Sequence, residues 1–218
     1  MTGWLHEQRL DAARDAVRAC GARTIADLGC GDGDLLLRLA VEPLIERIVG
    51  IDLCPDALAR LRARLARAPA RAGAAPAARV ELMQGSMTEH HPALAGVDCA
   101  VLIETIEHIA PDRLSTLEHA VFARLHPETV IVTTPNAEFN ALLGVPSHRF
   151  RHPDHRFEWD RAKFTRWAAG VAARHGYAVT RHDIAGRHSR LGGASQMAVF
   201  RQTSGNRSAG LSPAPAED

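Results

Sequence analysis

Asp27-Leu28-Gly29-Cys30-Gly31-Asp32-Gly33-Asp34 is the stretch that decides the fold. The apolar run Thr24–Leu28 leading into it reads as a buried strand, and Asp34–Val41 beyond it as a helix. Glycines at three alternate positions permit a tight turn and let backbone amides approach a ligand closely. Asp52 follows the next apolar run, Arg47–Ile51, and stands 19 residues after Gly33. A carboxylate at that place accepts both hydroxyls of a ribose. Strand, glycine turn, helix, second strand and acid together describe a nucleotide-type cofactor site built on Asp27, Gly29, Gly31, Gly33 and Asp52.

Outward from this turn, short apolar runs alternate with helical stretches. Val80–Met83, Val97–Ile103 and Val130–Thr133 read as further strands; Asp56–Ala68, Pro111–Leu125 and Arg161–His175 read as helices, the last capped by Asp160 and closed by Gly176. An opening helix carries Leu5, Leu10, Ala13, Val17 and Cys20 and stops at Gly21. The alternation predicts an α/β fold, a doubly wound and mainly parallel sheet with helices on both faces, in a single domain over residues 1–201. Tyr177–Ile184 and Gln196–Phe200 form an antiparallel pair at a sheet edge. Pro69–Arg79 reads as a surface loop, and residues 202–218 as a polar disordered tail. The segment Pro135–Trp159 has little periodicity, and loops of that length are usually functional or disordered.

Composition narrows the function classes. The 218 residues are 46% hydrophobic and 23% charged, a globular balance, with a net charge of only +1 that argues against a general polyanion binder. No apolar run reaches the roughly 18 residues of a membrane span, and the charged N-terminus lacks a signal-peptide stretch, so a cytoplasmic location is expected. Cys20, Cys30, Cys54 and Cys99 show no zinc spacing and read as reduced thiols. Charge is unevenly placed: between His148 and Arg190 there are ten Lys/Arg against four Asp/Glu, and six of the twelve histidines. That surplus suits either an anionic partner or a plain solvated surface.

The glycine turn has the spacing Gly-x-Gly-x-Gly after Asp27 rather than Gly-x-Gly-x-x-Gly. It resembles the class I S-adenosylmethionine-dependent methyltransferases more than the NAD enzymes, and a cationic sulfonium ligand suits its acidic character. The resemblance implies adenine contacts after the third strand, at Ser86 and Met87.

A second motif, Ile103-Glu104-Thr105-Ile106-Glu107-His108, ends the fourth strand and so lies beside the turn. A helix starting here puts Glu104, Glu107 and His108 at i, i+3 and i+4 on one face. Crowded carboxylates repel unless a cation or protons compensate, and a nearby imidazole completes a divalent site of mixed oxygen and nitrogen ligands. Similar stretches occur in small-molecule methyltransferases that use no metal. The third segment, His148-Arg149-Phe150-Arg151-His152-Pro153-Asp154-His155-Arg156-Phe157-Glu158-Trp159, is dense in ligating and basic residues. It suits a site better than a core, although Phe157 and Trp159 could simply pin a charged loop to the body.

Glu104-x-x-Glu107-His108, Thr133-Thr134-Pro135-Asn136 and Asp154-His155-Arg156-Phe157-Glu158-Trp159 resemble the small-RNA 3′-terminal ribose 2′-O-methyltransferases of the bacterial HEN type, from about Asp27 to Phe200. The resemblance implies a divalent cation, Mn²⁺ or Mg²⁺, on Glu104, Glu107, His108 and His155, and an RNA 3′ end as substrate. It also implies an RNA end-healing kinase–phosphatase/ligase as partner. His155 is preferred to His148 and His152 for its place inside that segment. Arg149, Arg151 and Arg156 are candidates for phosphate contact, since guanidinium forks fit such oxygens. The expected reaction is methyl transfer from S-adenosylmethionine to the 2′-hydroxyl of the terminal ribose. The alternatives are a metal-independent phenol or quinone-type O-methyltransferase, and a catalytically silent cofactor-binding module of an RNA-repair assembly.

Overall fold

In the computed structural model, which describes residues 2–68 and 75–203, seven strands form one sheet. Five are parallel: β1 (Thr24–Leu28), β2 (Arg47–Asp52), β3 (Val80–Gln84), β4 (Cys99–Ile103) and β5 (Thr129–Pro135). β7 (Ser195–Gln202) runs antiparallel between β5 and the edge strand β6 (Tyr177–Ile184), giving the order β3-β2-β1-β4-β5-β7-β6. All seven residues of β5 are buried, as are four of the five in β1. Strands buried on both faces need helices on both sides.

Strand alternation divides the core into two layers. Ala26, Leu28, Val49, Ile51, Ala100 and Leu102 face the layer that holds α4 (Leu114–Glu118) and α5 (Arg161–His175). Ile25, Ile48, Cys99 and Val101 face α1 (Thr2–Cys20), α2 (Asp34–Leu39) and α3 (Pro55–Arg67). α1 contributes Leu10, Ala13 and Val17, a stripe at helical spacing. Fully burying each large apolar side chain, such as Leu36, Leu61 or Phe164, contributes about 1.5–3 kcal/mol. Strand order reverses between β1 and β4, so the carboxyl ends of these strands open into the crevice where such sheets bind ligands.

Several expected elements differ. Pro111–Leu125 is helical throughout, as expected, but not uniformly α: a 3₁₀ turn at Pro111–Arg113 leads into α4, and His119–Leu125 is π-helical. It ends at His126, whose φ is +46° and whose N–H reaches five residues back to the Val121 carbonyl at 2.9 Å. β4 starts at Cys99 rather than Val97, because the Asp98 carboxylate accepts from the N–H groups of Arg23 and Thr24, each at 2.8 Å. β7 continues to Gln202, so the tail expected from that residue loses its first position to the sheet. Within the expected loop Pro69–Arg79, Pro76–Arg79 is a 3₁₀ turn; residues 69–74 and 204–218 lie outside the described residues.

The long segment after β5 is ordered by its own contacts. Asn136 Oδ1 accepts from the Glu138 N–H and starts a 3₁₀ stretch at Ala137–Leu143. Phe157 and Trp159 are buried with ring centroids 4.3 Å apart and pin the far end to the body. Among the described residues no helix is long and apolar enough to cross a membrane.

Candidate active site

Glycine turn and acid ends meet at the switch point. Gly29, Gly31 and Gly33 all have positive φ, at +82°, +52° and +80°. A Cβ on Gly29 would stand 2.2 Å from Thr105 Cγ2, so this position is held to glycine by contact as well as by backbone. The Asp52 carboxylate knits two loops, accepting from the N–H of Gly31 with one oxygen and of Cys54 with the other, both at 2.8 Å. Gly29, Asp52, Met87, Glu104, Thr105 and His108 line one cavity of ≈ 330 Å³. Ser86 is turned to a local role, its Oγ 2.7 Å from Thr88 Oγ1. Asp27 is 3% exposed at the end of β1; burial, with Asp52 adding repulsion, pushes its carboxyl up to about 7.

No helix begins at Glu104. That residue takes a left-handed φ of +52°, and Ile106–His108 form a single 3₁₀ turn, so Glu104, Glu107 and His108 follow one another through a tight turn rather than sharing a helical face. A non-glycine residue held at such a φ costs about 1–3 kcal/mol and is found mainly where the surroundings enforce it. Here β5 enforces it. Glu104 N–H donates to the Thr133 carbonyl and to Thr133 Oγ1, which in turn donates to Glu104 Oε1 at 3.0 Å. Glu104 Oε2 accepts from Ser195 Oγ at 3.3 Å and lies 3.3 Å from Arg9 Nε of α1.

Glu107 is fully buried. Its Oε2 accepts from Thr134 Oγ1 at 3.0 Å, while Oε1 has no hydrogen-bond partner among the described residues. Burial, then the neighbouring Glu104, raises this carboxyl well above the ordinary range. His108 follows, its imidazole lowered by burial and then by His155 and His152.

Across from it the loop supplies two imidazoles. Ring centroids of His108 and His155 are 4.8 Å apart, those of His108 and His152 5.8 Å, and ligating atoms of all three lie within 4.8 Å of one another. Distance therefore does not separate His155 from His152; anchoring does. His155 Nδ1 is 2.6 Å from Glu158 Oε1, with the two side chains 8% and 1% exposed, whereas His152 is 53% exposed beside Asp154. Glu158 also accepts from Asn140 Nδ2 and the Arg151 N–H; burial raises this carboxyl, but its hydrogen bonds outweigh that and hold it below the usual range.

The site thus brings His108 and His155 together and adds His152. It does not gather the Glu104 and Glu107 carboxylates into that histidine cluster; they turn toward Thr133, Thr134, Ser195 and Arg9. Arg151 is not a free phosphate contact: its guanidinium is internal, donating to Asn140 Oδ1 and to the carbonyls of Asn136 and Ala194. Arg149 and Arg156 are exposed. Sequence reasoning missed Glu158, whose signal is a carboxylate three residues after His155. It also missed Arg9 and Ser195, which reach Glu104 from distant elements and carry no local signal.

A doubly wound sheet with a glycine turn at its switch point and an acid at the end of β2 defines a class I methyltransferase fold. The comparisons agree: a family described as "Methyltransferase domain" matches residues 25–128. The small RNA 2′-O-methyltransferase of Gallus gallus is 41% identical over 179 residues, covering 80% of this chain and 47% of that protein. That of Xenopus tropicalis is 38% identical over 204 residues, covering 90% and 54%. The solved methyltransferase domain of bacterial CtHen1-C superposes with a TM-score of 0.80 at 36% identity, covering 91% of this chain and 98% of that one. This chain belongs to the Hen1 family of small RNA 2′-O-methyltransferases, whose methyltransferase domain it matches. It spans about half the length of the curated animal relatives named above.

Proposed function

We propose that this chain transfers a methyl group from S-adenosylmethionine to the 2′-hydroxyl of the 3′-terminal ribose of small RNA, with a divalent cation held by Glu104, Glu107, His108 and His155. The observation that carries this reading is the buried Glu107 carboxyl. Among the described residues one of its oxygens has no partner, a second carboxylate lies beside it, and its own 3₁₀ turn carries His108, whose ligating atom lies within 4.8 Å of those of His152 and His155. A fully buried acid in that state either keeps a proton or meets a cation, and a donor set of carboxylate and imidazole fits Mn²⁺ or Mg²⁺, the nitrogens favouring Mn²⁺. When bound, such a cation would acidify a vicinal diol and hold the negative charge that develops there.

The chain's own groups do the rest. Glu158 fixes the His155 ring through Nδ1, the carboxylate–imidazole support common around ligating histidines. Arg9 offsets the charge of Glu104, and Thr133 and Ser195 orient its two oxygens. Asp52, Met87 and the glycine turn form the cofactor side, so donor and acceptor meet over the Glu104–Thr105 segment. Placement of this kind supplies much of the rate in a simple displacement.

The test is label transfer from methyl-tritiated S-adenosylmethionine to RNAs that differ only at the 3′ end. Transfer is expected to a 2′,3′-diol end, but not to a 2′-deoxy or 3′-phosphate end. It should vanish in chelator and return with Mn²⁺. Undiminished transfer in chelator would rule out the cation; transfer to the 2′-deoxy end would rule out the 2′-hydroxyl.

The proposed cofactor site also fixes a pH dependence. Asp27 protonates at about 7 in the folded chain, and a cationic sulfonium favours its ionised form. Below that pH a proton must leave as the cofactor binds, so affinity rises with pH, by at most about tenfold per unit, and levels off above it. Calorimetry from pH 5.5 to 8.5 should show this rise in the wild type and a flatter profile in Asp27→Asn. Identical profiles would remove Asp27 from the cofactor site.

A further inference from the structure

Glu104 lines one cavity and, through Arg9, reaches the wall of a second. The first is the cavity with Gly29, Asp52 and Thr105. At the second, α1 and the segment after β5 enclose a cleft of ≈ 720 Å³ lined by Leu5, Arg9, Leu142, Leu143, Val145 and Arg151. Arg9 joins the two, since it lines the cleft and places Nε 3.3 Å from Glu104 Oε2.

The chemistry of the cleft favours a flat apolar group over a phosphate. Arg151 donates Nε, Nη1 and Nη2 to protein oxygens, the Arg9 charge is paired with Glu104 through Nε, and His6, which also lines the cleft, is paired with Asp34, so each cationic group has an internal partner. Four aliphatic side chains make up much of the remaining lining, and Leu142 is 50% exposed. Aliphatic surface beside guanidinium planes suits the face of a nucleobase, and the volume falls within the range of about 300–1,000 Å³ usual for small-molecule sites.

Position names the nucleotide. In a methyl displacement the attacking oxygen lies opposite the departing sulfur, so the acceptor ribose belongs on the side of Glu104 away from the cofactor cavity. We propose that the Leu5–Leu142–Val145 cleft holds the nucleobase of the RNA's 3′-terminal nucleotide, an assignment that rests on the 2′-O-methylation reading above. The cleft would then register the RNA end by stacking, without sequence-specific hydrogen bonds.

Two measurements test this on the full chain. An RNA with 2-aminopurine as its 3′-terminal base should change fluorescence on binding, and Leu142→Asp, a change at a half-exposed position, should weaken that binding about tenfold. The same probe placed several nucleotides upstream should respond little. In steady-state assays, an RNA ending in an abasic ribose keeps its diol but should show a KM about tenfold higher than the intact RNA in the wild type. That ratio should fall toward one in Leu142→Asp and in Val145→Trp, which fills the cleft. An unchanged wild-type KM for the abasic end, with methylation intact, would overturn the cleft assignment and leave the reaction standing. Terminal 2-aminopurine binding sensitive to Leu142→Asp, with no methylation of either RNA, would support the cleft and overturn the reaction.

Discussion

His155→Ala lowers the methyl-transfer rate at least about 100-fold while cofactor affinity stays within about twofold. His155 is far in sequence from Glu104, Glu107 and His108, yet its ring centroid lies 4.8 Å from that of His108. Removing it takes one imidazole from the proposed cation site and touches nothing in the glycine turn. The loop pays a structural cost as well. Glu158, 1% exposed, loses a partner at 2.6 Å but keeps Asn140 and the Arg151 N–H. Losing one hydrogen bond to a buried charged group costs roughly 1.5–3 kcal/mol, so a thermal melt must accompany the assay. Glu158→Gln supplies the control: it keeps His155 but removes the charge behind it and turns an amide N–H toward one of the three donors that Glu158 accepts from, and should cost about 10–100-fold. Rate measured against Mn²⁺ concentration separates the readings. Excess Mn²⁺ should restore part of the His155→Ala activity, because three proposed ligands remain. If the variant instead responds to acceptor concentration and ignores Mn²⁺, the loop packs on substrate and His155 is not a ligand.

How much of this was legible without coordinates follows from where each signal resides. The parallel strands are short apolar runs, readable to within about two residues; in β1, β2, β4 and β5 burial on both faces leaves a largely hydrophobic stretch, while the edge strand β3 showed only through Val80, Leu82 and Met83. The glycine turn was readable because φ near +80° at Gly29 and Gly33 excludes most other residues there. The π-helical His119–Leu125 was not, since a wide turn keeps the apolar spacing of an ordinary helix for one repeat and leaves no compositional mark. Arg151 misled for a different reason. Arginine in a loop reads as surface, and only the tertiary fold sets three oxygens around its guanidinium. The acid pair was legible as a motif but not as a conformation. The left-handed Glu104 is imposed by β5 and α1, which are remote in sequence.

Gly29→Ala tests the link between the two halves of the site, and its effect should be the broader one. An L side chain at φ +82° costs about 1–2 kcal/mol by itself. The added Cβ would also stand 2.2 Å from Thr105 Cγ2 and 3.0 Å from Met87 Cε. Met87 is a flexible side chain and can move. Thr105 is 8% exposed and set between Glu104, at its strained φ, and the fully buried Ile106, so relief there displaces the acid pair. The expected outcome is a loss of stability of about 2–4 kcal/mol, with cofactor binding and methyl transfer each reduced more than about 100-fold. A cofactor turn that merely tolerated alanine would show the backbone cost alone. Thr105→Ser distinguishes the two, because it deletes Cγ2 and retains the hydroxyl. In the double variant Gly29→Ala/Thr105→Ser the clash is gone and the φ penalty stays. Part of the lost stability should therefore return, with a coupling of about 0.5–3 kcal/mol between the positions in a double-mutant cycle. Strict additivity, measured by chemical denaturation of all four proteins, would mean that the turn and the acid-bearing loop do not press on one another. The motion of Thr105 could then not carry the damage from the cofactor side to Glu104.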